Sequence, residues 1–325
     1  MKALVCEALG TLDGIRYRDV PEPEAEPDEV LVRVRAAAVV FTDLLFAQGR
    51  YQMRPELPFV LGSIVAGEVI AAGSQARRWQ PGDRIASVAA NFGGFAERVV
   101  IPASVPARLP PSVSFALGAA AMSATGTAQH ALRQKGALRR GETLVVTGAA
   151  GGTGSAAIQV GKLLGARVIA VCSSTERAAF CLAQGADDTI NYTTEDLKLA
   201  IKARTGGRGA DVVFETVGGD VFDACAHAMA IDGRLLVVGF ASGRVPSLPV
   251  NLPLVKVYSL LGVHWLSFIR HAPEEHAHNM QELHDWLEHG AVTPAIDSIL
   301  PMSQGVRALE RLARREVMGK LILEA

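Results

Sequence analysis

The chain has 325 residues, 49% of them hydrophobic and 20% charged, and its 32 Lys and Arg against 33 Asp and Glu leave a formal net charge of −1. That length suits two domains, each with its own core, and the composition excludes a disordered or fibrous chain. The near-neutral balance gives no electrostatic basis for binding nucleic acid or an acidic membrane surface.

In chain order, the opening MKALVCEALG has too short an apolar core for a secretory signal, and acidic residues soon follow it. Residues Met1 to about Ala121 read as mostly β. Glu29–Ala38 (EVLVRVRAAA) alternates apolar and polar residues, as a half-buried strand does. Gly67–Ala72, Arg84–Val88 and 93–101 are further strands, and Pro21–Asp28 is an exposed, Pro- and Glu-rich turn. Ser112–Leu132 holds no Asp, Glu, Lys or Arg and is long enough to cross a bilayer. Its bulk is Ala, Ser, Thr and Gly, however, and Gln129-His130 would be costly in lipid. The expectation is a buried helix at a domain junction. The four cysteines (Cys6, Cys172, Cys181, Cys225) form no CxxC pair and read as buried residues of a reducing compartment. A soluble, cytoplasmic protein is expected.

From about Thr125 the rhythm becomes strand and helix in alternation. In Thr143–Gly154 (TLVVTGAAGGTG) a short apolar strand meets Gly148, Gly151, Gly152 and Gly154, and Ser155–Leu164 continues with helical spacing. Strand, glycine turn and helix together make a cradle for a pyrophosphate, whose charge meets free N–H groups and the helix dipole. The string is GxxGGxG and not GxGxxG, so an ordinary glycine-rich turn is the competing reading. The next strand, Ala166–Val171, runs into Cys172-Ser173-Ser174-Thr175-Glu176-Arg177. An NAD site usually carries an acid at that strand end for the ribose hydroxyls. Here small hydroxyl residues leave room and Arg177 offers a fork for a phosphate dianion, which suits the 2′-phosphate of NADPH. Glu176 is either a displaced ribose acid or, as we prefer, a first-turn residue of the next helix behind Ser173 or Ser174.

Asp188–Asn191, Asp211–Phe214, Arg234–Gly239 and Val257–Gly262 read as further strands, with helices over Glu195–Arg204 and Phe222–Met229. Six parallel strands with intervening helices give the doubly wound nucleotide-binding fold. Pro246, Pro249 and Pro253 fall in a long loop before the sixth strand. Glu274–His289 is an amphipathic helix with Met280, Leu283 and Leu287 on one face. No two of His276, His278, His284 and His289 are four apart, so they are expected at the surface and not on a metal. Gly319–Leu323 reads as a strand returning to the first domain.

Across its full length the chain resembles the medium-chain dehydrogenase/reductase superfamily, and within it the zinc-free NADPH:quinone oxidoreductases related to zeta-crystallin. The resemblance is carried by 145–166 (VVTGAAGGTGSAAIQVGKLLGA), Pro81-Gly82-Asp83-Arg84, Gly126-Thr127-Ala128, 187–192 (DDTINY) and Met318-Gly319-Lys320. It implies an α/β architecture in which a Rossmann domain with a doubly wound six-stranded sheet is inserted into a mainly β, GroES-like catalytic domain. The expected ranges are 1–122 and 268–325 for the catalytic domain and 123–267 for the NADPH domain. The resemblance also implies a homodimer.

Residue by residue, it assigns Gly151, Gly152, Thr153 and Gly154 to the pyrophosphate. Ser173, Ser174, Arg177, Tyr192 and Arg315 go to the adenosine phosphate end, and Thr127 with Val238-Gly239-Phe240 to the nicotinamide. A helix-start role for Thr127 and a plain strand-end role for Tyr192 are the alternatives. Zinc-using relatives have a ligand Cys where this chain has Val40 and a Gly-His-Glu motif where it has Gly62-Ser63-Ile64. Valine and serine cannot replace thiolate and imidazole ligands, so no catalytic metal is expected. Quinone reductases usually have Asn at the Val40 position and an acid at the Ile64 position, and this chain's departure implies a more apolar cleft.

The expected activity is zinc-independent hydride transfer from NADPH to a quinone, which needs orientation and an apolar site more than a general acid. Val40, Phe41, Tyr51, His264 and Trp265 are the candidates to line the substrate cleft, and no catalytic residue is singled out. One alternative is reduction of an enone or enoyl thioester, with Tyr51 or His264 as proton donor. Another is an NADPH-binding protein with a structural or regulatory role.

Overall fold

The computed structural model describes residues 1–89 and 92–325, and the chain forms two compact units. Unit 1 holds Met1–Ser123 and His284–Ala325, and unit 2 holds Ala124–Leu283.

Unit 1 begins with β1 (Lys2–Cys6), β2 (Ile15–Asp19), β3 (Glu29–Val39), α1 (Phe41–Ala47), β4 (Phe59–Val60), β5 (Ile64–Ala72), β6 (Arg84–Val88), β7 (Arg98–Pro102), β8 (Ala107–Arg108) and α2 (Phe115–Gln129). Alternation makes β3 what it is: Val30, Val32 and Val34 are buried while Arg33 and Arg35 face out. Gly67 on β5 has to be glycine, because a Cβ there would lie 2.1 Å from the Arg33 carbonyl oxygen. The strand expected over 93–101 is shorter, with 93–95 turning against Gly62 and only a bridge from Ala96 to Ala3 before β7.

Unit 2 continues α2 into a π-helical turn, His130–Lys135, then β9 (Thr143–Val146), α3 (Gly152–Leu163), β10 (Arg167–Cys172), α4 (Thr175–Ala183), β11 (Asp188–Asn191), α5 (Leu197–Arg204), β12 (Ala210–Glu215), α6 (Gly219–His227), β13 (Met229–Val237), α7 (Asn251–Lys256), β14 (Ser259–Gly262), α8 (Trp265–His271) and α9 (Pro273–Glu288). Its six strands are parallel in the order β11-β10-β9-β12-β13-β14, so the order reverses direction at β9. β9 is buried over all four residues, as a central parallel strand must be. The long proline loop contains α7, since Pro253 falls in its first turn, where a missing N–H costs nothing. The sixth strand starts two residues late because Val257 takes a left-handed conformation, φ 50°.

The chain returns to unit 1 for β15 (Ile296–Pro301), α10 (Gly305–Ala313) and β16 (Lys320–Glu324). The larger sheet runs β15-β16-β3-β5-β6-β8, with β7 also on β3. The return occurs near residue 284 and not at 268, because 268–283 is tied to the end of α2. The His130 ring stacks on Phe268 with centroids 4.0 Å apart, Gln129 Nε2 donates to Glu282 at 2.7 Å, and Gln134 Nε2 donates to Asn279 at 3.2 Å.

Two of the α9 histidines correct the surface expectation. His278 and His289 are exposed, but His276 and His284 are buried. No group of three or more metal-ligating side chains occurs among the described residues, and no helix among them is long and apolar enough to cross a membrane.

Candidate functional site

β9 ends at Val146, and the next turn needs its glycines. Gly148 has φ +56°, and a Cβ on Gly154 would lie 2.3 Å from the Gly148 carbonyl oxygen and 2.7 Å from the Ala149 Cα. Gly151 is the N-cap of α3 and carries no capping side chain. The first intrahelical bond comes from Ser155 N to Gly151 O at 2.8 Å, so the amides of Gly152, Thr153 and Gly154 open the helix without partners among the described residues. Free amides, the dipole of a twelve-residue helix and a turn without side chains fit a pyrophosphate.

The neighbouring strand ends supply a second cluster. Ser174 caps α4 by accepting the Arg177 amide at 3.2 Å, which places Arg177 in the first turn beside Ser173. Glu176 also stands in that first turn. β10 and β11 pair through Cys172 and Asn191, the Tyr192 amide donates to the Cys172 carbonyl at 3.1 Å, and Thr193 Oγ1 donates to the Ser173 carbonyl at 3.5 Å. Ser173, Ser174, Arg177 and Tyr192 are thereby gathered at the carboxyl ends of two adjacent strands, each half-buried. A phosphate on a ribose is matched by hydroxyls and a guanidinium placed so.

Val238, Gly239 and Phe240 follow β13. The amides of Val238 and Gly239 donate to the Glu215 carbonyl at 2.8 and 3.3 Å. Thr127 lies in the last turn of α2, half-buried, and not at a helix start. Arg315 is an exposed residue of unit 1 just past α10, with φ 58°.

Of the substrate candidates in unit 2, His264 is exposed and caps α8, its Nδ1 2.6 Å from Ser267 Oγ. Trp265 is buried instead: its indole occupies the space a Cβ on Gly126 would take (2.7 Å to Cζ2) and meets His276 edge-on at 5.6 Å. It is a core residue. Both ring nitrogens of His276 lack hydrogen-bond partners among the described residues, and burial pushes its pKa down to about 4, with the His130 charge acting the same way. The unfolded chain therefore takes up a proton between the ordinary 6.5 and about 4 that the folded chain refuses. Stability should be lost as pH falls through that window, by roughly 3 kcal/mol when fully developed. Denaturant titrations at pH 7 and pH 4.5 check this, and His276→Leu should flatten the difference. An unchanged pH slope in the variant would assign acid sensitivity to other groups.

In unit 1, Val40 is half-buried ahead of α1, Phe41 is exposed, and Tyr51 packs on Phe46 with centroids 4.4 Å apart, its phenol pKa raised by burial. The Val40 amide donates to Asp43 at 2.9 Å and Ser63 Oγ donates to the same carboxylate at 3.0 Å. Asp43 is fully buried; burial pushes its carboxyl up to about 7, against the pull of these donors and of Lys320. Burial likewise brings the Lys320 ammonium down to about 8, against the attraction of Asp43. Asp43 and Lys320 escaped the sequence reading as a pair, since nothing local joins positions so far apart. Glu215 escaped it too, although an acid closing the apolar run Asp211–Phe214 at a ligand-binding sheet edge is a readable signal. A polar cavity of about 280 Å³ lined by Lys135, Arg139, Glu142, Asp211 and Arg234 opens at the other, amino-terminal edge of the parallel sheet from Glu215.

Residues 152–288 match the family model described as zinc-binding dehydrogenase, and residues 26–111 match the alcohol dehydrogenase GroES-like domain. A protein of Nematostella vectensis named quinone oxidoreductase-like protein 2 homolog is 36% identical over 99% of this chain and 88% of its own length. Prostaglandin reductase-3 of Mus musculus is 34% identical over 94% of this chain and 84% of its own. Among solved structures, the Escherichia coli quinone oxidoreductase complexed with NADPH superposes with a TM-score of 0.95 at 26% identity, over 100% of both chains.

Proposed function

Because the chain belongs to the quinone oxidoreductase family of the medium-chain dehydrogenases/reductases, we propose that it is a metal-independent, NADPH-dependent reductase of quinones. The observation that carries the cofactor is the pairing of free α3 amides with the Ser173, Ser174, Arg177 and Tyr192 cluster on the next strands. When bound, NADPH supplies the hydride. Gly152, Thr153 and Gly154 hold the pyrophosphate by their amides and Arg177 the 2′-phosphate, while Thr127 and the backbone of Val238–Phe240 orient the nicotinamide.

Unit 1 offers an apolar surface at the start of α1, in the half-buried Val40 and the exposed Phe41. A planar, electron-poor acceptor suits it, because reduction of a quinone needs no side chain to stabilise developing charge. Neither Tyr51 nor His264 is asked to transfer a proton in this reading. The experiment is a panel of quinones, enones and enoyl thioesters, with NADPH consumption as readout. Small para-quinones should turn over best, Tyr51→Phe and His264→Phe should shift KM more than kcat, and Val40→Asn should reorder the acceptors without abolishing turnover. The prostaglandin reductase relative favours alkene reduction as the second reading. Faster turnover of enones or enoyl thioesters, lost on Tyr51→Phe or His264→Phe, would establish it in place of the first.

The active form is a homodimer in the cytoplasm. Four buried free thiols support a reducing compartment. β14 is an edge strand with Leu260 44% exposed, and Val250, Leu254 and Val255 nearby are at least 77% exposed. An unpaired ladder beside so much apolar surface suits a second copy of the chain. Leu260→Lys should convert dimer to monomer in sedimentation velocity; a wild-type chain that sediments as a monomer would refute the assembly.

A further inference from the structure

Glu215 closes β12, next to β9 at the point where the strand order reverses, and its residue is completely buried. Its Oε1 accepts hydrogen bonds from the amides of Val217 (2.8 Å) and Gly218 (2.9 Å) and from Thr147 Oγ1 (3.1 Å); Oε2 accepts from the Gly218 amide at 3.0 Å. No Lys, Arg or His lies within ion-pair distance of it among the described residues. The titratable group it faces is the buried Cys225 thiol on α6, which burial and the Glu215 charge both push up. Burial pushes the Glu215 carboxyl up, and the hydrogen bonds from Gly218, Val217 and Thr147 pull it back down; such donors match an ionised carboxylate, which accepts and never donates. A lone buried charge is costly to a fold and calls for a reason.

The loop that the carboxylate holds carries the reason. Thr216 donates through its hydroxyl to the Thr147 carbonyl at 2.9 Å, and its own carbonyl accepts the Ala241 amide at 3.0 Å. The Val217 carbonyl accepts the Ser242 amide at 2.8 Å. A Cβ on Gly218 would come within 3.2 Å of the Phe240 ring. Residues 216–218 and 238–242 are thus laced together, and Glu215 anchors the first of them to Thr147, just past β9.

We propose that Glu215 is a positioning residue for the nicotinamide that also tunes its redox balance: the carboxylate holds 238–240 in place, and its unpaired negative charge favours the cationic, oxidised ring over the neutral, reduced one. The inference rests on the reading of Val238–Phe240 as the nicotinamide segment. In a water-poor interior, one charge acts over several ångströms. The residue does not touch the reacting atoms, and its effect is on the equilibrium between the two bound forms.

The test uses the whole purified chain and three ligands in equilibrium titrations: NADPH, NADP+ and 2′-phospho-ADP-ribose, which lacks the nicotinamide. In Glu215→Gln, an isosteric change that keeps one acceptor oxygen for the Val217 and Gly218 amides, NADP+ should weaken relative to NADPH by about 3- to 10-fold. Affinity for 2′-phospho-ADP-ribose should stay unchanged. In Glu215→Ala the loop is released as well, and both dinucleotides should weaken about tenfold or more. An unaltered NADP+ to NADPH affinity ratio in a folded Glu215→Gln chain overturns the redox role. Equal loss of all three ligands shows a merely structural role and overturns the inference entirely. If Glu215→Gln does not fold, Thr147→Val, which removes one donor from the carboxylate, must lower affinity for both dinucleotides and spare 2′-phospho-ADP-ribose, or the positioning role fails. A wild-type chain that binds 2′-phospho-ADP-ribose but neither dinucleotide overturns the nicotinamide assignment beneath it.

Discussion

Replacing Arg177 with alanine is expected to weaken NADPH binding by about 10- to 100-fold and to leave NADH binding nearly unchanged. Charge-assisted hydrogen bonds contribute about 1.5–3 kcal/mol each, and the 2′-phosphate is the only group by which the two cofactors differ. The Ser174 cap sets the direction of α4's first turn, and with it the point from which the guanidinium extends. Because that cap uses the backbone amide of residue 177, the substitution leaves it in place and the loss reports the side chain alone. Fluorescence titration with each cofactor measures it. Equal losses for NADPH and NADH would place Arg177 away from the phosphate.

Gly154→Ala should be among the more damaging single-methyl changes in the nucleotide unit. The added carbon meets backbone, the Gly148 carbonyl and the Ala149 Cα, and neither can rotate away as a side chain would. The turn must open, with an expected loss of about 2–4 kcal/mol in unfolding free energy and of dinucleotide binding altogether. Gly151→Ala is the control three residues earlier. Its Cβ would stand 3.3 Å from a single atom, the Gly148 carbonyl oxygen, and its φ of −78° suits any residue. Denaturant melts should therefore separate the two alanine variants clearly. Similar stabilities would mean that the turn yields and that the glycines serve only the ligand's approach.

The glycine turn and the Ser-Ser-Thr-Glu-Arg segment were readable because each is local: strand, turn and helix signals fall within a dozen neighbouring positions. Alternation announced β3, and short apolar runs announced the six parallel strands, with ends off by a residue or two except at β13, which starts at Met229 and not at Arg234. Burial created by distant segments was not readable. The face of α9 marked by Met280 and Leu283 gave no sign that the end of α2 and α8 would also cover His276. Trp265 looked like a ligand contact until Gly126 proved to be the space it fills. Asp43 and Glu215 are ordinary acids in the sequence, and only pairings across the sheets make each an anchor. The carboxylate sites were thus hidden for the same reason as the buried histidines, since periodicity reports one element's face and never what will lie against it.

The position of β16 between β15 and β3 has a further consequence for how the polypeptide matures on the ribosome. Leu321, Ile322 and Leu323 are an interior strand, 0–1% exposed, paired with residues 36–39 near the other end of the chain. During synthesis β3 waits with an open ladder edge until almost three hundred further residues have emerged, while unit 2 has all its strands by residue 262. The inserted unit can therefore complete its fold first, and the discontinuous one closes last, by a contact of very long sequence separation. Throughout that interval the nascent chain exposes the short apolar β edge Ala36–Val39, of the kind that recruits holding chaperones or pairs with a neighbouring nascent chain.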